Sequence, residues 1–573
     1  MGTYVGHYNE WLEHFKDDPE MTEEIVNMSE DEKEEAFSEY LTFGTGGLRA
    51  KMRPGIRSLN VYTIAHVTQA LANVLKTVDN KNGVVIAHDS RNNGELFTET
   101  AASVLAANGF RVYVFDELRP TPELSFTVRY MDLTGGINIT ASHNPKEYNG
   151  YKVFWSDGAQ LGKAQADAVQ DEMLKIDIFK DVLTCDYKTA LEEGKISVIG
   201  KDFDEHYIEA VLKESVDPDC IRSAGDLAVV YTPLAGTGYR LVPEVLRRAG
   251  VARLYTVAEQ MTPDGNFTTT PKPNPEYMES FDLGIKLAER EDVKSDLIIA
   301  TDPDADRTGV AVRSGDGFRC LSGNQVGALL LDYIIEAYKQ SPSGLPDGAY
   351  AVKTIVSTEL ASEICRQNGV KLYNLLTGFK YIGEVVNEND ARGNHGFLLG
   401  FEESYGYLKG NYARDKDGVV ATMLICEMAA YYKQKNMTLY DAICAIYEKY
   451  GYYREKTTEK YFEGAQGPAI MSAMMDKLRS GINEIGGEKI VRIKDYLNKT
   501  DADLLTGKVT ETDLPVSNVL YFVSEKGNIT IIRPSGTEPK IKLYFLAHGE
   551  NAGEAEAVID KCYAEILSRL NDR

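Results

Sequence analysis

Asp302, Asp304 and Asp306 alternate along Asp302-Pro303-Asp304-Ala305-Asp306, and Arg307 follows at once. Carboxylates this close repel one another unless a cation sits among them. Oxygen-only donors suit a hard divalent ion such as Mg²⁺. The stretch lacks the glycine and the terminal glutamate of an EF-hand loop. Three protein carboxylates leave a coordination position open, and a phosphate oxygen is a natural further ligand. Arg307 beside that phosphate would offset its charge.

A nucleophile is available elsewhere. Ser142 stands in Thr140-Ala141-Ser142-His143-Asn144-Pro145, directly after an apolar run. A serine hydroxyl is a weak nucleophile unless a base or metal assists it. His143 is adjacent, and Lys152 follows in Tyr148-Asn149-Gly150-Tyr151-Lys152. With no G-x-S-x-G elbow, an esterase triad is not indicated. Taken alone, the stretch reads equally as a capping serine beside a core histidine.

Two further loops suit anions. In Arg533-Pro534-Ser535-Gly536-Thr537 the glycine permits a sharp turn, hydroxyls and amides donate, and the arginine supplies charge. Gly44-Thr45-Gly46-Gly47-Leu48-Arg49 has the same character, but its context is not that of a dinucleotide fingerprint.

The elements that must position these loops come in a rhythm. Strands are predicted at residues 83–89, 111–115 and 136–140, the last running into Ser142. They recur at 227–231, 253–257 and 296–300, the last running into Asp302. They recur again at 349–356, 371–375 and 396–400, the last running into Phe401-Glu402-Glu403-Ser404-Tyr405-Gly406. Helical spacing fills the intervals, so three α/β modules each end a strand in a polar loop. In open α/β sheets, ligands bind outside the carboxyl ends of strands. The tail differs: apolar runs at 518–524, 529–533 and 541–546 read as antiparallel strands, followed by a helix over 554–570. Residues 31–40 read as a solvated acidic helix.

The 573 residues exceed one hydrophobic core. A net charge of -25 argues against a nucleic-acid partner, which needs a basic face. Any phosphate site must then be locally basic against the sign of the whole. Seven cysteines without a CxxC pair read as free thiols in a reducing compartment, so a cytoplasmic protein is expected. The acidic N-terminus has no apolar signal core, and no apolar run is long enough to span a bilayer.

Together the loops at 140–145, 302–307, 400–406 and 533–537 resemble those of the α-D-phosphohexomutase superfamily, and within it the phosphoglucomutases, in the family's order. The resemblance implies three related α/β/α mixed-sheet domains and a C-terminal α+β domain of TATA-binding-protein-like fold around one central cleft. Their bounds are expected at 1–205, 206–318, 319–450 and 451–573. It implies that Ser142 carries a phosphoryl group and shares Mg²⁺ with Asp302, Asp304 and Asp306. It implies that Glu402 and Ser404 hold sugar hydroxyls, and that Arg533, Ser535, Gly536 and Thr537 hold the phosphate that is not transferred. Arg49, Lys152 and Arg307 match cations near the transferred phosphoryl. Thr377-Gly378-Phe379-Lys380 resembles the family's third-domain loop, with Lys380 facing the sugar. The implied reaction interconverts glucose 1-phosphate and glucose 6-phosphate through glucose 1,6-bisphosphate, with His143, Lys152 and Lys380 as unranked proton carriers. Mannose or pentose phosphates are the alternatives within the same chemistry. A non-catalytic phosphosugar-binding protein and a metal-dependent phosphatase are the alternatives outside it. Phe401, where many members have glycine, and the bulky Tyr405 imply a differently shaped sugar pocket. No membrane or nucleic-acid partner is implied.

Overall fold

The computed structural model describes residues 4–43, 47–78, 82–315, 317–462, 467–535 and 540–571. The chain forms two compact units. One comprises Met1–Leu321, Ile382–Phe397 and Tyr405–Thr438, and the other Ser322–Tyr381, Leu398–Ser404 and Leu439–Arg573.

The first unit holds two mixed sheets. The six-stranded sheet runs Leu48–Lys51, Tyr148–Trp155, Gly135–Ile139, Val84–His88, Val112–Phe115, Ile196–Ile199. Its last four strands are parallel, and Tyr148–Trp155 is antiparallel to both of its neighbours. Val84–His88 is buried along its whole length, as a central strand covered on both faces must be. Its side chains divide with the period of two. Val84 and Ile86 join one core, and Val85 and Ala87 another.

The five-stranded sheet repeats the plan in the order Gly317–Leu321, Thr308–Ser314, Leu297–Thr301, Ala228–Thr232, Arg253–Thr256. Ala228–Thr232 is parallel to both of its neighbours, and Thr308–Ser314 returns antiparallel to Leu297–Thr301. In both sheets the chemically loaded loop therefore joins a parallel strand to an antiparallel return strand that the sequence reading did not mark. The N-terminal segment also differs from a merely solvated helix. Helices Tyr4–His14, Pro19–Asn27 and Glu30–Phe37 enclose Trp11, Phe15, Ile25 and Phe37 against Ile56 and Ile178.

In the second unit, Tyr350–Thr354 pairs in parallel with Lys371–Leu375, and Phe397–Glu402 lies on its other side. The C-terminal sheet is antiparallel in the order Tyr452–Tyr461, Lys540–Gly549, Ile529–Pro534, Leu520–Ser524, Glu488–Asp495, Thr500–Asp503, Val509–Glu511. Leu543 and Phe545 pack on Met475 and Ile566 of helices Gly467–Arg479 and Ala552–Asn571. The alternate residues Tyr544 and Leu546 pack with Ile355, Val356 and Leu376 instead. One sheet thus supports helices on one face and the carboxyl ends of the preceding strands on the other. No described helix is long and apolar enough to cross a membrane.

Candidate active site

Ser142 follows the strand Gly135–Ile139 and is almost wholly buried. Its backbone is left-handed, with φ 54°, a conformation that costs a non-glycine residue on the order of 1–3 kcal/mol and so needs outside support. Arg91 provides it. Nη2 donates to the carbonyl oxygens of Ser142, at 2.6 Å, and of Asn144, while Nη1 donates to those of Pro145 and Tyr148, each at 2.8 Å. The Ser142 amide donates to Thr140 Oγ1 over 2.8 Å, and that hydroxyl donates to Asp89 Oδ2 over 2.6 Å. Held this way, Ser142 Oγ lies 2.8 Å from Asp302 Oδ2 and 3.1 Å from His143 Nδ1. Its one hydrogen can serve either partner but not both.

Asp302, Asp304 and Asp306 are all buried, and one carboxylate oxygen from each lies within 4.8 Å of the others. Asp302 Oδ1 accepts the backbone N–H groups of Asp306 and Arg307, at 3.1 and 3.0 Å. Ala305, with φ 52°, makes the turn between them. Lys152 Nζ donates to Asp304 Oδ2 over 2.6 Å and to Asp306 Oδ2 over 3.0 Å. Lys416 Nζ is 3.2 Å from the same Asp306 oxygen. Oδ1 of Asp304 and Oδ1 of Asp306 remain buried without a hydrogen-bond partner.

That pattern suits a cation. Asp304 and Asp306 are each oriented through Oδ2 and keep Oδ1 over, and Asp302 presents Oδ2 beside Ser142, an arrangement that suits a hard divalent ion. The electrostatics agree. Burial, then the Asp304 and Asp306 charges, pushes the Asp302 carboxyl well above the usual range. Asp306 is held well below that range, against its burial, by Lys152, Lys416 and Arg307. The group can hold a metal ion.

The other cations also converge here. Arg49 Nη1 donates to Asn144 Oδ1 over 3.1 Å, and Arg307 Nη1 donates to Glu276 Oε1 over 2.9 Å. Burial, then Arg307 and Arg49, pushes the His143 imidazole well below its ordinary range. Ser142, His143, Lys152, Arg49, the three aspartates and Arg307 thus belong to one cluster in the first unit.

The second unit gathers another set. The Gly378 amide donates to Glu402 Oε1 over 2.9 Å, bringing the Thr377-Gly378 loop to that glutamate. Lys380 follows at the start of helix Phe379–Ala391. Thr354 Oγ1 donates to Glu403 Oε2 over 3.3 Å. Ser404 is half-buried beside them in the chain. Arg533 ends the strand Ile529–Pro534, and the Ser535 amide donates to the Lys540 carbonyl over 2.8 Å. Gly536 and Thr537 lie outside the described residues. The Phe401 ring enters the core. It is wholly buried, and a Cβ on Gly327 would stand 2.3 Å from its ring. Strand alternation turns it away from Glu402 and into helix Gly323–Gln340.

Sequence reasoning missed Arg91, Asp89 and Lys416. A signal existed for each: His88-Asp89-Ser90-Arg91 leaves a buried strand, and Arg414-Asp415-Lys416-Asp417-Gly418 crowds charge ahead of an apolar helix. Lys416 also explains Gly406, where an added Cβ would stand 2.6 Å from the lysine Cδ.

Models of the phosphoglucomutase/phosphomannomutase α/β/α domains I, II and III match residues 40–179, 205–315 and 322–450. A phosphoglucomutase of Staphylococcus haemolyticus is 35% identical over 545 residues, covering 94% of this chain and 96% of that protein. One from Staphylococcus aureus is 38% identical over 518 residues, covering 90% and 91%. Among solved structures, the open form of the Paramecium phosphoprotein parafusin (phosphoglucomutase) superposes with TM-score 0.69 at 21% identity, covering 92% of this chain and 95% of that one. A phosphomannomutase described as putative, from Thermus thermophilus, gives 0.67 at 21% identity, covering 92% and 99%. At that identity the structures speak to the fold.

Proposed function

The chain belongs to the phosphoglucomutase/phosphomannomutase family of the α-D-phosphohexomutase superfamily, and on that premise we propose that it interconverts glucose 1-phosphate and glucose 6-phosphate through a phosphoserine at Ser142. The observation that carries this reading is the 2.8 Å approach of a strained, buried Ser142 Oγ to Asp302 within the aspartate group.

The reaction runs in two transfers. A free hydroxyl oxygen of the bound sugar phosphate attacks the phosphorus on Ser142. The bond from phosphorus to Oγ breaks, and glucose 1,6-bisphosphate forms. The bisphosphate then presents its other phosphate, Ser142 Oγ attacks that phosphorus, the bond from phosphorus to its sugar oxygen breaks, and the product leaves with the phosphate it gained first. His143, 3.1 Å from Oγ, exchanges the proton at the serine oxygen. Lys152, Arg49 and Arg307 neutralise the transferred phosphoryl oxygens, a demand that outweighs covalent help in such transfers. Asp302, Asp304, Asp306 and the oxygen on Ser142 would hold Mg²⁺, which would supply further positive charge to the same group. Glu402 and Ser404 orient sugar hydroxyls, Lys380 with Thr377 and Gly378 faces the sugar, and Arg533, Ser535, Gly536 and Thr537 bind the phosphate that stays in place.

The four domains divide near residues 205, 318 and 450. The acidic composition and free cysteines support a cytoplasmic location. A coupled assay on glucose 1-phosphate, mannose 1-phosphate and ribose 1-phosphate tests the substrate. Preference for glucose 1-phosphate is expected. Faster turnover of either other sugar would reassign the specificity, and steady release of inorganic phosphate would make the protein a phosphatase.

A further inference from the structure

Asp304 is held from a second direction. Thr121 opens the helix Thr121–Tyr130, and its backbone N–H donates to the Asp304 carbonyl oxygen over 2.9 Å. Its hydroxyl lies 2.6 Å from Asp304 Oδ2, and Asn138 Nδ2 lies 2.6 Å from the same hydroxyl oxygen. Thr121, Asn138 and Asp304 are all fully buried, so no water competes for these bonds.

Hydrogen counting fixes the direction. A threonine hydroxyl has one hydrogen, and a carboxylate only accepts. The hydroxyl hydrogen must point to Asp304, so Asn138 must present its amide hydrogens to Thr121. The chain of donors runs Asn138 to Thr121 to Asp304. Asn138 lies on the strand that leads to Ser142 and stands directly opposite Lys152 in register. Lys152 Nζ donates to the same Asp304 oxygen over 2.6 Å. Two neighbouring strands therefore converge, through Thr121 and Lys152, on Oδ2 of one carboxylate. Its other oxygen, Oδ1, is left buried and without a hydrogen-bond partner.

We propose that Thr121, backed by Asn138, is a positioning residue that fixes the rotation of the Asp304 carboxylate and so presents Oδ1 to the divalent cation. The proposal rests on the reading of the three aspartates as a metal site. It makes the strand bearing the nucleophile and the loop bearing the metal ligands a single hydrogen-bonded assembly. Lysine alone would not fix the carboxylate, since an ammonium is a point charge without angular preference. The hydroxyl, tied by its own backbone N–H to the same residue, sets the angle.

Metal binding, measured apart from turnover, tests this. Mn²⁺ is titrated into the chelator-stripped full chain, and free Mn²⁺ is read by electron paramagnetic resonance, with thermal melts confirming that each variant is folded. Thr121→Val keeps the branched shape and removes the hydroxyl. Its Kd is expected to rise on the order of ten- to a hundredfold, the usual cost of losing a partner of a metal ligand. Thr121→Ser keeps the hydroxyl and should bind nearly as wild type does. Asn138→Ala should weaken binding, though less than Thr121→Val. A folded Thr121→Val with the wild-type Kd, or equal losses in the valine and serine variants, overturns the proposal and leaves the metal site standing. If Thr121→Val does not fold, a wild-type Kd in Asn138→Ala overturns it. A wild-type chain that binds no Mn²⁺ overturns the metal site and the proposal with it.

Discussion

Arg91 donates through Nη2 to the carbonyl oxygen of Ser142 over 2.6 Å, gripping the proposed nucleophile by its backbone. The same guanidinium reaches three more carbonyls of the loop, and its Nε pairs with Asp89 over 3.3 Å. A planar fork can serve that many oxygens at fixed angles, whereas an ammonium cannot. Arg91→Lys should therefore let Ser142 relax from its left-handed conformation. Phosphoryl transfer measured in a single turnover should slow roughly tenfold or more, about 1.4 kcal/mol, with little change in Mg²⁺ dependence. An unchanged rate would show that the loop holds its own shape.

Ser142 should carry phosphate in active protein. Intact-mass and peptide analysis should find it there, and Ser142→Ala should lose the interconversion. Full activity in that variant would remove the phosphoserine from the mechanism.

Asp304→Asn should weaken divalent-metal binding and strongly slow transfer, because an amide is a poorer ligand for a hard cation. Chelation of the wild type should do the same, with recovery on adding Mg²⁺ back. Activity that survives thorough chelation would contradict the metal assignment.

Arg533→Ala should act mainly on KM. The phosphate that is not transferred is bound alike in ground and transition states. The loss should be roughly 1.5–3 kcal/mol, the range for a hydrogen bond to a charged group. An effect confined to kcat would place Arg533 in the chemical step.

The second unit should show a pH signature. Burial, then the Glu402 charge, pushes the Glu403 carboxyl up to about 7, and burial pushes Glu455 up to about 7. A carboxyl raised in the folded state keeps a proton that the unfolded chain has released. Its contribution to stability therefore falls as pH climbs from the ordinary carboxylate pKa, roughly 4.3, through about 7, and is level above that. Glu403→Gln and Glu455→Gln remove this loss. The stability of each variant relative to wild type should grow between about pH 5 and pH 8 in denaturant titrations. A difference that stays constant across that range would mean that neither carboxyl titrates there.

Much of this protein was legible in its sequence because the information was local. Residues 84–87 and 297–300 are unbroken apolar runs at the length of a strand covered on both faces. Asp302, Asp304 and Asp306 lie so close in the chain that their mutual repulsion, and with it a place for a cation, could be read from their spacing. The alternation of strand and helix gave the α/β class, and Ser142 and Asp302 were marked by their places at strand ends. What the tertiary structure decided were contacts made between distant segments. Arg91 reaches Ser142, Lys416 reaches Asp306 through the space left by Gly406, and Thr121 reaches Asp304. No spacing encodes these, because the partners are brought together by sheet register and helix packing. The antiparallel return strands Tyr148–Trp155 and Thr308–Ser314 belong to the same class, since a strand's own residues do not say which neighbour it pairs with or in which direction. The fate of Phe401 was decided likewise: its bulk was visible in the chain, but only the pleat of its strand determined that the ring enters the core and leaves Glu402 facing the other way.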